Sequence, residues 1–147
     1  MTGARATPPL PPLAAPGQAG LVSIIAPCRN ERAHIDAFCD CALAQRLPDG
    51  WQMELLVADG ASDDGTQARL VERAAADARL RVLDNPGRIV STGLNACLAR
   101  ARGQVIVRMD IHTQFAPDYV AECIAALERS GADNVGGPWV ARGQGAW

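Results

Sequence analysis

The chain has 147 residues, 48% of them hydrophobic, and carries 14 basic against 16 acidic side chains. That length suits one domain with a real core and is short for a two-domain enzyme, while the near-balanced charge gives no electrostatic case for nucleic acid or an anionic membrane surface. No apolar run approaches the roughly 20 residues of a membrane helix, and the five cysteines show no CxxC pair or zinc spacing, so they read as reduced core residues of a cytosolic protein.

Residues 1–20 hold half of the prolines and no periodic pattern, and read as a flexible leader. A signal peptide would need an apolar core, which Pro8, Pro9, Pro11 and Pro12 interrupt, so secretion is not expected.

From Leu21 the pattern alternates. "LVSIIAP" is apolar and β-branched, a buried strand stopped by Pro27. "ERAHIDAFCDCALAQ" follows, with Ile35, Phe38, Cys39 and Ala42 on one helical face. "MELLVA" is a second strand ending in the turn chemistry of "DGASDDG", and Asp64 with Gln67 has the spacing of a capping box. The helix it opens would bury Leu70, Val71 and Ala74. "LRVLDN" is a third strand. Ser91 is placed to cap a helix bearing Leu94, Leu98 and Ala101, and Gly103 to stop it in a left-handed conformation. "QVIVRM" is the fourth strand, Pro117 starts a helix with Val120, Cys123, Ile124 and Leu127, Gly131 closes it, and "DNVGGPW" could begin a fifth strand.

Strand–helix alternation with strands apolar on both faces predicts an α/β fold, a mostly parallel sheet covered by helices. Right-handed crossovers put the strands' C-terminal ends on one edge, where open α/β sheets bind ligands. Four polar clusters meet there: Pro27 to Glu31, Asp59 to Asp64, Asn85 to Arg88, and Asp110 to His112. The first turn contains no glycine, which excludes a dinucleotide fingerprint, and no Walker loop occurs. Asp59 is either a turn-former or an acceptor for a ribose hydroxyl or base N–H. Glu31 is either a helix-start carboxylate or a contact to a nucleotide on this edge. Arg29 and Arg88 either neutralise phosphates or are surface charges. Asp110, after a buried run, suits a hard cation such as Mg²⁺ or Mn²⁺ or simply begins a loop; His112, two residues on, is an acceptable metal ligand or a histidine bonded to backbone.

Together these clusters resemble the nucleotide-binding half of a family 2 glycosyltransferase of GT-A type, a Rossmann-like α/β architecture. "PCRNE" matches its P-x-x-N-E turn, Asp59 with "SDDGT" its second-strand loop, and "MDIH" part of its DxD motif. "NPGR", "GLN" and "GADNVGGP" are similar to a subgroup of succinoglycan-biosynthesis type. The resemblance runs from Leu21 to the end and makes residues 21–147 the N-terminal part of such a domain.

It implies an inverting transfer of a sugar from a nucleotide diphosphate sugar, usually a UDP-sugar, to a saccharide or lipid-linked acceptor in exopolysaccharide synthesis. Glu31 and Asp59 would hold the nucleoside, with Pro27 and Arg29 in the same turn, and Asp64 would be a second contact or a loop stabiliser. Arg88 and Asn95 would shape the diphosphate side. Asp110 would approach ribose or metal, and His112 takes the position of the family's metal-binding carboxylate, leaving the ion, Mg²⁺ or Mn²⁺, open. The family's general base lies in a later segment, so none is assigned here. The chain is therefore expected to be a donor-binding fragment; the alternative is a non-catalytic nucleotide-binding or assembly module or an inactive truncated gene product. A cytoplasmic location, at the inner membrane face for the full-length protein, and a membrane-associated assembly partner complete the expectations.

Overall fold

The computed structural model describes residues 19–140. The leader expected over residues 1–20 therefore lies almost wholly outside the described residues. Eight elements alternate: β1 (Leu21–Cys28), α1 (Ile35–Leu43), β2 (Gln52–Asp59), α2 (Thr66–Ala76), β3 (Leu80–Asp84), α3 (Val90–Leu98), β4 (Val105–Arg108) and α4 (Tyr119–Ser130). The four strands form one sheet in the order β3-β2-β1-β4, and every neighbouring pair is parallel.

Burial on both faces explains why the strands read as continuous apolar runs. One face carries Val22, Ile24 and Ala26 of β1 and Leu55 and Val57 of β2 against Ile35, Phe38, Cys39 and Ala42 of α1, Leu70 of α2, and Val120 and Ile124 of α4. Ile25, Leu56 and Ala58 point the other way, against Cys97 of α3. Each fully buried Ile or Leu contributes on the order of 1.5–3 kcal/mol. Helices thus cover both faces, as the alternation predicts. Among the described residues no helix is long and apolar enough to cross a membrane.

Several local expectations are corrected. The Asp64–Gln67 capping box does not form: Gly65 is the N-cap of α2, Asp64 turns to Thr66 and Arg32, and Gln67 reaches Asp84 instead. Val71 is exposed, so the buried stripe of α2 narrows to Thr66 and Leu70. Ser91 lies inside α3, whose N-cap is Ile89, and Leu98 is exposed while Gly93 and Cys97 face the sheet.

Gly103 is not a left-handed stop, since α3 ends at Leu98 and Gly103 has no positive φ. It is there for close approach: a Cβ on Gly103 would lie 2.6 Å from Ser23 N and 2.8 Å from Leu21 O. Gly131 does end α4 at φ 65°, as expected. Helix α4 begins at Tyr119, with Pro117 in the preceding turn. The segment after it forms no fifth strand; Asp133, Asn134 and Val135 line a groove beside β4 without pairing to it. All five cysteines are free, with Cys28, Cys39 and Cys97 buried and Cys123 only partly so.

A second buried network sits at the opposite end of the sheet from the polar clusters. Glu54, 1% exposed, accepts Ser23 Oγ at 2.7 Å and Arg102 N at 2.7 Å on Oε1. Its Oε2 receives Arg102 Nε at 2.9 Å and Arg81 Nη1 at 3.2 Å. Burial pushes this carboxyl up, but the bonds from Ser23 and Arg102 outweigh it and hold it below the usual glutamate range. These bonds fix the turn between α3 and β4, and so the register of the strand that delivers Asp110 and His112.

Candidate functional site

The strand order has one reversal. The chain steps outward from β1 to β2 to β3, then returns to lay β4 on the other side of β1. In open α/β sheets, the crevice beyond the carboxyl ends of two such strands is where ligands bind. The segments leaving β1 and β4 there carry Arg29 to His34 and Met109 to His112.

Two of the predicted clusters are stitched into one surface. Gly60 N donates to Cys28 O at 2.8 Å, Asn30 N to Ser62 Oγ at 2.8 Å, and Asp63 N to Asn30 Oδ1 at 2.9 Å. Glu31 N donates to Thr66 Oγ1 at 2.9 Å, and Arg32 N to Asp64 Oδ2 at 3.1 Å. Asp59 is 1% exposed, and its carboxylate accepts Ser62 N at 3.1 Å and Ser62 Oγ at 2.5 Å. Asp64 accepts Thr66 N at 3.0 Å and Thr66 Oγ1 at 2.5 Å, and the Thr66 bond in particular holds its carboxyl below the usual range. It therefore does the work of a loop stabiliser. Asn30, Ala61 and Arg88 adopt left-handed backbone, at φ 54°, 55° and 61°. Such conformations cost roughly 1–2 kcal/mol each in non-glycine residues and persist where surrounding bonds impose them.

The third cluster is built around Asn85, 3% exposed. Asn85 Nδ2 donates to Ile89 O at 3.0 Å, Thr92 Oγ1 donates to Asn85 Oδ1 at 2.7 Å, and Arg88 N donates to Asn85 O at 3.0 Å. Gly93 is packed so tightly that a Cβ there would lie 2.9 Å from Asn85 Nδ2 and 3.0 Å from the Cβ of Pro27. Pro27, half-buried, thus forms part of the floor, while Asn95 is exposed on α3. Arg29 and Arg88 leave the backbone on either side of Gly60: a Cβ on Gly60 would sit 3.3 Å from both Arg29 Cβ and Arg88 Cα. Both arginines are exposed and enter none of the ion pairs among the described residues.

Beside them lies a group of different chemistry. His112 Nε2 is 2.7 Å from Glu31 Oε1, and the His34 and His112 rings meet edge to face with centroids 4.7 Å apart. Ligand atoms of Glu31, His34 and His112 all lie within 4.8 Å of one another. Asp110 is held elsewhere, its carboxylate forked by Arg108 at 3.0 and 3.3 Å. The structure therefore brings His112 to Glu31 and His34, and gives Asp110 to an arginine. His34 escapes the sequence reading; its signal is the Glu31-x-x-His34 spacing, one turn at the start of a helix. Two imidazoles and a carboxylate form a donor set that fits a divalent metal.

Cys28 lies directly beneath this edge. Burial above all, with the carboxylates of Asp59 and Glu31 nearby, pushes its thiol up to about 12, which disfavours the nucleophilic thiolate.

Comparison with known proteins gives the family and the fold. Residues 23–147 match the model of Glycosyl transferase family 2. The succinoglycan biosynthesis protein ExoA of Rhizobium meliloti (strain 1021) is 33% identical over 114 residues, covering 76% of this chain and 34% of that protein. Among solved structures, the mannosyltransferase PcManGT from Pyrobaculum calidifontis, in complex with GDP-Man and Mn²⁺, is 27% identical with a TM-score of 0.68, covering 81% of this chain and 35% of that one. S. aureus TarS 1-349 in complex with UDP shares the fold at a TM-score of 0.61 and 19% identity, over 80% of this chain and 38% of that one. The chain thus spans about a third of the length of the protein and structures just named.

Proposed function

From the premise that the chain belongs to glycosyl transferase family 2, we propose that it is the donor-binding part of an inverting glycosyltransferase that takes a nucleotide diphosphate sugar, a UDP-sugar, and serves exopolysaccharide synthesis with a saccharide or lipid-linked acceptor. The observation that carries this reading is the pair of exposed arginines, Arg29 and Arg88, whose Cβ and Cα flank Gly60 on the edge formed by the strands' carboxyl ends. A diphosphate presents two adjacent negative charges, and guanidinium forks match its oxygens in geometry and charge.

The remaining groups fall into place around such a donor. The rigid floor of Pro27, Asp59 and Asp64 bounds the nucleoside side, and Asn95 extends the diphosphate side along α3. A divalent cation bound at this edge would offset charge on the departing diphosphate. Asp110, released from Arg108, would reach the ribose. The general base is assigned to none of these residues. The relative named for succinoglycan biosynthesis supports the exopolysaccharide assignment, and a cytoplasmic position at the inner membrane face accords with it.

Calorimetric titration of the chain with UDP, UDP-sugars, GDP and GDP-mannose, with and without Mn²⁺, tests the reading. A charge-assisted hydrogen bond contributes about 1.5–3 kcal/mol, so Arg29→Ala and Arg88→Ala should each weaken nucleotide binding about tenfold or more. The loss should shrink as salt is raised. Failure of every nucleotide to bind, or wild-type affinity in the double variant, would overturn it.

A further inference from the structure

The resemblance puts the metal on Asp110 and His112; in the structure Asp110 is paired with Arg108 and His112 with Glu31. We propose instead that Glu31, His34 and His112 form a three-ligand site for a divalent transition metal, binding Zn²⁺, Co²⁺ or Mn²⁺ in preference to Mg²⁺. This deepens the nucleotide-sugar reading at the same edge, yet it concerns the protein alone and can fail separately.

Three observations support it. The observed separations bracket what an ion imposes: ligands about 2.1 Å from a tetrahedral centre stand about 3.4 Å apart. Glu31 Oε1 and His112 Nε2 are 2.7 Å apart, and the whole group fits within 4.8 Å. Replacing the shared proton by an ion spreads the first pair slightly, while rotation of the exposed His34 ring closes the rest.

The backbone that carries the three side chains is also held by its neighbours. Glu31 N is tied to Thr66 Oγ1, and His34 N donates to Glu31 O at 2.9 Å, so the first turn leading into α1 sets their relative position. Ile35 beside His34 is 0% exposed, and Met109 and Ile111, which flank Asp110 just before His112, are 0% and 8% exposed. Beyond His112, Gln45 secures the loop by donating to Ala116 O at 2.9 Å and accepting from Val120 N at 3.1 Å. Such anchoring lowers the ordering penalty when the ligands are gathered.

The donor set then chooses the ion. The Glu31 side chain is only 16% exposed, which favours a cationic partner for its carboxylate. Two imidazole nitrogens favour borderline transition ions over Mg²⁺, which prefers oxygen and keeps its water. Without an ion, the same contacts reduce to a Glu31–His112 hydrogen bond in which His34 has no part. His34 is therefore the discriminating residue.

The test is direct titration of the 147-residue chain with Co²⁺, followed by visible absorption, and with Zn²⁺, Mn²⁺ and Mg²⁺ by calorimetry, all without nucleotide. One ion per chain is expected, tightening from Mn²⁺ to Co²⁺ to Zn²⁺, with Mg²⁺ weakest. His34→Ala and His112→Ala should each weaken Co²⁺ binding about 100-fold or more, since even indirect supports of a metal site are worth 10–100-fold. The exposed His34→Ala should keep the wild-type thermal midpoint, separating ligand loss from unfolding. Wild-type Co²⁺ affinity in His34→Ala would overturn the proposal. So would Mg²⁺ binding as tightly as Mn²⁺, a thiolate-to-cobalt charge-transfer band, or loss of binding in Asp110→Ala with none in His34→Ala. A parallel UDP titration in chelator-treated buffer keeps the two readings apart. Binding there with no metal site sinks only this proposal, whereas a metal site with no nucleotide binding sinks only the donor reading.

Discussion

Thr66→Val is the substitution that most cleanly joins the architecture of this edge to its chemistry. Thr66 is 0% exposed, and its hydroxyl accepts the Glu31 amide at 2.9 Å while donating to Asp64 Oδ1 at 2.5 Å. Valine has the same shape and no hydroxyl. The exposed Asp64 carboxylate turns to water, so the loss falls on the half-buried Glu31 N–H. An unsatisfied backbone donor of this kind costs roughly 1–3 kcal/mol, slightly offset by the extra buried methyl. A net loss of about 1–2 kcal/mol follows, or about 4–8 °C in thermal midpoint for a domain of this size. Freed of its anchor, Glu31 is no longer held against His112, so Co²⁺ affinity should fall as well. Thr66→Ser is the control: it keeps the hydroxyl and loses one methyl, about 1 kcal/mol. Both variants should melt earlier in circular dichroism, but only the valine should lose metal affinity. Equal binding losses in the two, or a valine variant with wild-type stability, would refute the idea that the hydroxyl positions Glu31.

Other outcomes test the frame around the site. Glu54→Ala should cost about 2–3 kcal/mol by urea denaturation, below the roughly 3–5 of a wholly buried pair, because Arg102 and Arg81 are partly exposed and can turn to water. Since the folded carboxyl is lowered, its contribution is complete above the unfolded value near ~4.3 and disappears as pH falls through the folded one. The gap between wild type and variant should therefore close only in acid. Gly103→Ala must displace backbone at Ser23 and Leu21 and should cost about 3 kcal/mol, the upper end for overpacking, read as a lower midpoint in the same melts. Cys28 should resist a thiol reagent at pH 8 until the chain unfolds. Because its thiol binds a proton in the fold well beyond the ordinary 9.0, stability should decline as pH rises from about 9 towards 12, and Cys28→Ala should flatten that decline.

The strands were legible to within a residue or two, because burial on both faces leaves uninterrupted β-branched runs, with polar turns at their ends. What local pattern could not show was the sheet order, since alternation says nothing about which side of β1 receives β4. Helix starts were also misread. Ser91 and Asp64 are good capping residues by type, but a local bond to Thr66 and a tertiary one from Arg32 claimed Asp64, and α3 started one residue before Ser91. The expected fifth strand fails for a related reason: residues 133–135 lie beside β4 in a groove rather than in hydrogen-bonding register with it.

The site shows the same division between local and spatial information. Much of what made the motifs recognisable is scaffold. Asn30, Ser62, Asp64 and Thr66 stitch two loops together, Asn85 builds the turn that holds Arg88, and Gly93 lets α3 sit on Pro27. Such residues are legible because their geometry demands particular types at fixed offsets. Groups left facing the crevice obey no offset. Arg29 and Arg88 are 59 positions apart and are neighbours only because both pack against Gly60; His34 and His112 meet only because β4 returns beside β1. A strand ending in Asp-x-His therefore suggests a two-ligand metal site when read as a string. In three dimensions Arg108 takes the carboxylate, and the imidazole is left to the glutamate and histidine across the switch point. With the ligands assigned in this way, the choice of ion at this edge depends on the turn after β1 as much as on the motif after β4.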